Sequence, residues 1–267
     1  MIASGRIPGV DPLPSTFALG MRVDATSYAD AVQRIFGWAG RGESRTVAVA
    51  SVHMVMEGYD YLPYQRLVND CDLVTPDGMP LVWLLRARAT RNATRVYGPD
   101  LTRKLLAKAH EQRAPIGFYG GSTRALDALL AVVHKEYPDA PVVYACAPPF
   151  RALQPDEEER VIEDIISSGA RILFVGLGCP KQERWVAAHR GRVPAVMIGV
   201  GAAFDFLSGV KVQAPRWMQK RGLEWLFRMI TEPRRLFARY ARHVPRFILL
   251  IAHQLWIERS QKGNVAG

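Results

Sequence analysis

The stretch ILFVGLGCPKQERW, residues 172–185, decides how this chain is read. Ile172 to Val175 form an apolar run of strand length. Gly176 and Gly178 then make a turn, and Lys181-Gln182-Glu183-Arg184 open a polar helix after Pro180. A glycine turn between strand and helix lets backbone N–H groups approach an anion, and the helix N-terminus adds partial positive charge. Lys181 and Gln182 are then expected to face the crevice. A plain structural turn is the competing reading. A second turn of this kind follows at once: the run Val196 to Val200 carries Gly199 and Gly201 and leads into Ala203, Phe204 and Asp205. Gly178, Lys181, Gly199, Gly201, Phe204 and Asp205 are the candidates at these turns for holding a phosphate group.

Working outward, short apolar runs recur at residues 47–52, 72–74, 116–119 and 142–144. Between most of them lie helical patterns, at 61–69, 80–89, 99–111, 123–136, 156–168 and 180–189. Alternating strands and helices predict an α/β fold with a Rossmann-like, largely parallel sheet and flanking helices. Too few units are present for an eight-fold barrel. Residues 1–20 read as a loose Pro/Gly-rich arm, and a helix is expected from about Ser27 to Trp38. After Gly209 the pattern becomes helical, with a break near Pro233 and a further stretch starting at Pro245. The expected organisation is a core of residues 1–210 and a basic helical appendage of residues 211–267.

Charge follows that division. Residues 211–267 carry 12 Lys and Arg against 3 Asp and Glu, whereas the first 210 carry 23 against 22. A cationic tail suits an anionic partner, whether a diphosphate, an acidic membrane surface or nucleic acid. Interleaved Trp and Leu, with the run Phe247 to Ala252, favour a membrane interface and argue against nucleic acid. No apolar run approaches the roughly 20 residues that span a bilayer. The N-terminus lacks a signal-peptide pattern. Cys71, Cys146 and Cys179 show no CxxC spacing, so a reducing cytoplasm is expected. The histidines show no metal-ligand spacing. Neither glycine turn carries the third glycine of the dinucleotide fingerprint, which disfavours an oxidoreductase. No cofactor and no metal are expected.

Three further sites carry chemistry. Asp77, in TPDGMP, follows a short strand, and an acid at a parallel strand's carboxyl end points into the ligand crevice. It reads either as a general base or as the cap of the helix opening at Pro80. Arg95, in RVYGPD, suits a phosphate or carboxylate, or is a solvated surface arginine. Gly120, in GGS after residues 116–119, offers another backbone cradle or a tight turn. Asp70-Cys71-Asp72 has the D-x-D spacing of metal-dependent sugar transferases but precedes a strand, so it is expected on the opposite face. Arg235, Arg239 and Arg242 are spaced to share one helix face.

In order, TPDGMPLVW, RVYGPDL, GLGCPKQERW, IGVGAAFDFLSG, APRWMQKRGLEWLFRM and EPRRLFARY resemble the WecG/TagA/CpsF glycosyltransferases, glycosyltransferase family 26. The likeness runs from about Val47 to Tyr240. It implies inverting, metal-independent transfer of a sugar from a UDP-sugar to a polyprenyl-diphosphate-linked saccharide in assembly of exopolysaccharide or another cell-surface polysaccharide. Asp77 resembles the family's general base, Arg95 its arginine near the site, and Gln182 falls in its pocket-lining PKQE motif. Arg216, Arg228, Arg235, Arg239 and Arg242 lie in what resembles an appendage that docks on the membrane and closes over the nucleotide-sugar. This places the protein peripherally on the inner face of the cytoplasmic membrane; a homo-oligomer is compatible with the sequence. The family usually shows Thr-x-Asn at the first strand's end, where this chain has Val49-Ala50-Ser51; Ser51 keeps a hydrogen-bonding group. The expected donor is UDP-glucose or UDP-N-acetylmannosamine, with the TPDGMPLVW wording leaning to a neutral hexose.

Overall fold

The computed structural model describes residues 13–265, without the side chains of Arg235 and of residues 262–265. It begins with a hairpin, β1 (Ser15–Ala18) and β2 (Met21–Asp24), turned through Leu19 and Gly20, both at positive φ. Part of the expected loose arm is therefore ordered; residues 1–12 lie outside the described residues. The hairpin is tied to the far end of the chain, because Gln254 accepts from the Leu19 N–H and donates to the Phe17 carbonyl. No sequence pattern advertises a contact over that separation.

Six strands build the main sheet: β3 (Arg45–Ala50), β4 (Leu73–Pro76), β5 (Ile116–Gly120), β6 (Val142–Cys146), β7 (Ile172–Gly176) and β8 (Val196–Gly199). Their order is β4-β3-β8-β7-β5-β6 and every pairing is parallel. A parallel sheet needs helices on both faces, so its strands are apolar throughout. Alternate residues serve opposite layers. Val47, Val49, Phe118, Phe174 and Ile198 pack with α1 (Tyr28–Gly40), α5 (Gly98–Gln112), α6 (Thr123–Glu136) and α9 (Ala203–Leu207). On the other face, Ala48, Ala50 and Val74 meet α2 (Val52–Asp60), α3 (Leu62–Asn69) and α4 (Met79–Arg88). Leu173, Val175 and Met197 there meet α7 (Pro155–Ser168) and α8 (Lys181–Ala188).

The helix α2 is absent from the sequence reading, which carried the strand on to Val52. The strand stops at Ala50 because Ser51 caps α2, accepting from the Met54 N–H at 3.4 Å. The carboxyl ends of β3, β4, β7 and β8 thus meet on one rim, where an open parallel sheet binds ligands.

The tail forms α10 (Arg216–Lys220), α11 (Glu224–Thr231) and α12 (Pro233–Val265). Pro233 opens α12, as expected of a break there. Pro245 does not start a new helix; it lies inside α12. The missing N–H costs a hydrogen bond, but the next two residues hold the helix in place. Arg246 forms a two-pronged ion pair with Asp60 of α2, at 2.7 and 2.9 Å, and Phe247 is buried in the core beside α2 and α4.

Phe204, a candidate at the second glycine turn, is 2% exposed and meets Phe118 edge-on at 5.7 Å. It is a core side chain. Phe204→Ala should cost about 3–5 kcal/mol of stability in urea denaturation; a variant as stable as the wild type would remove Phe204 from the core.

Candidate active site

The rim is organised around Asp77. The N–H groups of Asp77 and Gly78 both donate to the carbonyl of Ala50, at 2.9 and 3.3 Å, locking the turn after β4 to the end of β3. Gly78 occupies the cap position of α4, with no side-chain cap bond. The capping alternative for Asp77 is therefore not realised. Its carboxylate lies 3.4 Å from Arg95 and accepts from the backbone of Gly98. Arg95 also donates through Nε to the Asp77 carbonyl, and its Nη2 meets Glu224 of α11 at 2.7 Å. Its guanidinium stacks 4.2 Å from the Tyr97 ring centre. Arg95 is thus a partly buried cation held by Asp77, Glu224 and Tyr97 rather than a solvated one.

Burial pushes the Asp77 carboxyl up from an ordinary 3.8 to about 6; Arg95 opposes this shift and Glu224 adds to it. Such an acid is protonated in mild acid and a carboxylate at neutral pH, the behaviour expected of a general base.

The two glycine turns form another part of the wall, and Gln182 joins them. Its Oε1 accepts from the N–H of Gly178 at 3.1 Å and of Gly201 at 3.0 Å, while Nε2 donates to Glu183 at 2.6 Å. Two amides read from the sequence as free to cradle phosphate are therefore bonded to Gln182. Gly199 packs tightly against Gln182, since a Cβ there would stand 3.1 Å from Gln182 Nε2. Glu183 is buried, also accepts from the Tyr64 hydroxyl, and is held above its usual range by desolvation.

A cavity of about 820 Å³ lies between this rim and the tail helices. Of the sequence candidates, Ser51, Asp77, Arg95, Gly178, Gln182, Gly199, Gly201, Arg228 and Arg239 line it. Others are placed elsewhere. Lys181 is exposed outside the cavity. Gly120 serves the sheet, because at φ +123° a Cβ would come within 2.6 Å of the Gly176 backbone. Asp205 is bound to Lys211 at 2.6 Å, fastening the start of the tail. Arg216 is exposed at the start of α10. Arg242 points outward to Asp60, 3.8 Å away, so it does not share the face on which Arg239 meets the cavity. The Arg235 side chain lies outside the described residues.

Several lining residues have no signal in sequence. Glu224 sits within a quoted motif, yet only the fold shows that it faces Arg95. Tyr97, Arg221 and Tyr240 join the wall in the same way. His53, Glu57 and His243 bring their ligand atoms within 4.8 Å of one another, from helices 190 positions apart, and this is the metal-capable group among the described residues. The cluster runs against the expectation of no metal-ligating set, which rested on local spacing. Burial, with Arg239 and His243 nearby, pushes His53 down to about 3, so it is neutral at physiological pH. Asp72, by contrast, is committed to Arg45 at 2.7 Å and Arg190 at 3.0 Å, just before β4 and so at the opposite end of the sheet.

Because Glu224 raises the Asp77 carboxyl, Glu224→Gln should move the acidic limb of the pH–activity profile below about 6, toward the ordinary carboxylate range. A limb unmoved by the substitution would show that Glu224 does not tune Asp77.

Comparison with known proteins places the chain. The description "Glycosyl transferase WecG/TagA/CpsF family" matches residues 16–261. An N-acetylglucosaminyldiphosphoundecaprenol N-acetyl-beta-D-mannosaminyltransferase of Bacillus subtilis (strain 168) is 29% identical over 64% of this chain and 65% of its own length. The protein of the same description from Bacillus spizizenii is 26% identical over 71% of this chain and 72% of its own. The match thus spans just under two thirds of the first relative and somewhat more of the second. With a family match covering nearly every described residue, and with Asp77, Arg95 and Gln182 gathered at one rim, the chain belongs to the WecG/TagA/CpsF glycosyltransferase family.

Proposed function

We propose that the protein transfers a hexosyl unit from a UDP-sugar to a polyprenyl-diphosphate-linked saccharide, with inversion and without a catalytic metal, during bacterial cell-surface polysaccharide assembly. The observation that carries this reading is Asp77: a carboxyl raised to about 6, set in a cavity and flanked by Arg95. Asp77 takes the proton of the acceptor hydroxyl as that oxygen attacks the anomeric carbon. The bond from that carbon to the diphosphate oxygen breaks in the same displacement, which inverts the centre. The departing UDP gains negative charge, and the cations on the cavity wall, Arg228 and Arg239 beside Arg95, are the groups available to stabilise it. Gln182 acts in this scheme as a positioning residue that holds both glycine turns. The Bacillus relatives transfer N-acetylmannosaminyl units, so UDP-N-acetylmannosamine is a candidate donor beside UDP-glucose.

The acceptor lipid places the enzyme at a membrane. Among the described residues no helix is long and apolar enough to cross one. The tail nevertheless exposes Trp217, Ile230, Phe237, Leu249 and Trp256 amid its arginines. Such a surface suits peripheral docking on the anionic inner face of the cytoplasmic membrane, where each basic residue contributes about 1 kcal/mol.

Asp77→Asn should lower transfer by about 10²–10⁴ while leaving UDP binding intact. Near-wild-type turnover would take Asp77 out of the chemistry. The sign of the stability change is also set. A carboxyl raised in the folded state stabilises the fold fully below its unfolded value of 3.8, and this contribution is lost as pH rises through about 6. The Asn variant should therefore be at least as stable as the wild type at pH 8, with its advantage shrinking below pH 6. EDTA should leave transfer unchanged; inhibition reversed by Zn²⁺ would instead give a role to His53, Glu57 and His243. Leu249→Glu with Trp256→Glu should reduce co-sedimentation with anionic vesicles, and undiminished pelleting would remove this face from docking.

A further inference from the structure

The run Phe247 to Ala252 is apolar on every side of α12, and membrane docking accounts for only one side. A helix apolar all round is one that is covered all round. Leu249 and Trp256 face outward, 71% and 66% exposed. A second stripe of the same helix, Val244, Ile251, Ala252 and Leu255, lines the cavity that also holds Asp77. Opposite it, α4 contributes Trp83 and Ala87. The cavity is therefore two-ended. At one end stand Asp77, Arg95, Arg228 and Arg239. Toward the other, the lining residues of α4, and those of α12 from Val244 onward, carry no charge. From Val244 to Leu255 the helix advances about 16 Å, so the apolar part is a trough rather than a dimple.

We infer that this trough between α4 and α12 receives the isoprenoid chain of the acceptor, beside the cationic end that faces its diphosphate. The inference rests on the proposed reaction and names what that reaction leaves unassigned, the site for the lipid portion. A nucleotide-sugar has no apolar segment to fill such a trough, whereas a lipid diphosphate is itself a charged head on an apolar chain. The complementarity is in the order of the groups: charge next to Asp77, hydrocarbon beyond it. The outer lip is open, since Ala87 and Ala252 are both exposed, and Ala252 stands on the same helix as Leu249 and Trp256. A chain leaving the trough there would pass into the membrane on which that helix docks. The tail holds this wall closed at its inner end. Gly222, at φ +72° between α10 and α11, comes so near Trp83 that a Cβ would stand 3.1 Å from the indole.

The test compares two acceptors, a sugar diphosphate carrying a long polyprenyl chain and the same compound carrying a methyl group, in detergent with the full-length protein. Ala87→Trp and Ala252→Trp fill the open lip from opposite walls. The wild type is expected to prefer the polyprenyl acceptor by about tenfold or more in KM, and each variant to lose most of that preference. Turnover of the methyl acceptor reports the chemistry at Asp77 and the integrity of the fold. Equal use of both acceptors by the wild type, or a full preference in both variants, overturns the inference and leaves the proposed reaction standing. Transfer to neither acceptor overturns the reaction and the inference together. If phospholipid vesicles stimulate the methyl acceptor in the wild type but not in Ala252→Trp, the trough belongs to a membrane acyl chain instead.

Discussion

The site depends on one partly buried cation. Arg95 is shared between Asp77, which follows a core strand, and Glu224, which opens a tail helix. A partly desolvated guanidinium needs counter-charge close by, and Arg95 draws it from both parts of the chain. The tail is therefore not merely attached to the core beyond Gly209. It supplies Glu224, one of the two carboxylates that face the core arginine. The same contact sets the chemistry, since Glu224 adds negative charge beside a carboxyl that burial already raises. The contact that ties the tail to the core and the electrostatic environment of Asp77 thus involve the same side chains, Arg95 and Glu224.

A second constraint acts on the opposite wall. The turns after β7 and β8 carry glycines that resemble phosphate-cradling loops, yet Gln182 occupies the N–H groups of Gly178 and Gly201. Buried backbone donors need partners, and here a side chain provides them for two loops at once. Gly199 lets that side chain approach closely. Because those amides are bonded internally, positive charge on the cavity wall comes from side chains, among them Arg228 and Arg239. Part of the tail's positive charge thus faces the cavity.

The fold was largely legible. The apolar runs at residues 116–119, 172–175 and 196–200 are buried strands because a parallel sheet covered on both faces demands uninterrupted apolar sequence. Asp77 and Arg95 were marked by their loops alone. Other placements depend on tertiary contact. Gly120, Phe204 and Gly199 look like loop chemistry in sequence; Gly120 and Phe204 pack within the core and Gly199 lies against Gln182 while lining the cavity. Arg239 and Arg242 share a helical spacing, yet Asp60 of α2 draws Arg242 outward. The helix α2 escaped notice because it begins at the strand's end without any intervening loop.

Local physics therefore lies within the sequence: strand burial by apolar runs, a helical break near Pro233, an acid at a strand's carboxyl end and a tail rich in arginine. What only the tertiary structure decided is which distant groups share one low-dielectric volume. Glu224 beside Arg95, His53 beside His243, and the apolar stripe of α12 opposite α4 are separated by 129 to 190 positions or by whole elements. Coulombic coupling, desolvation and apolar contact depend on distance in space, and no period or spacing along the chain encodes it.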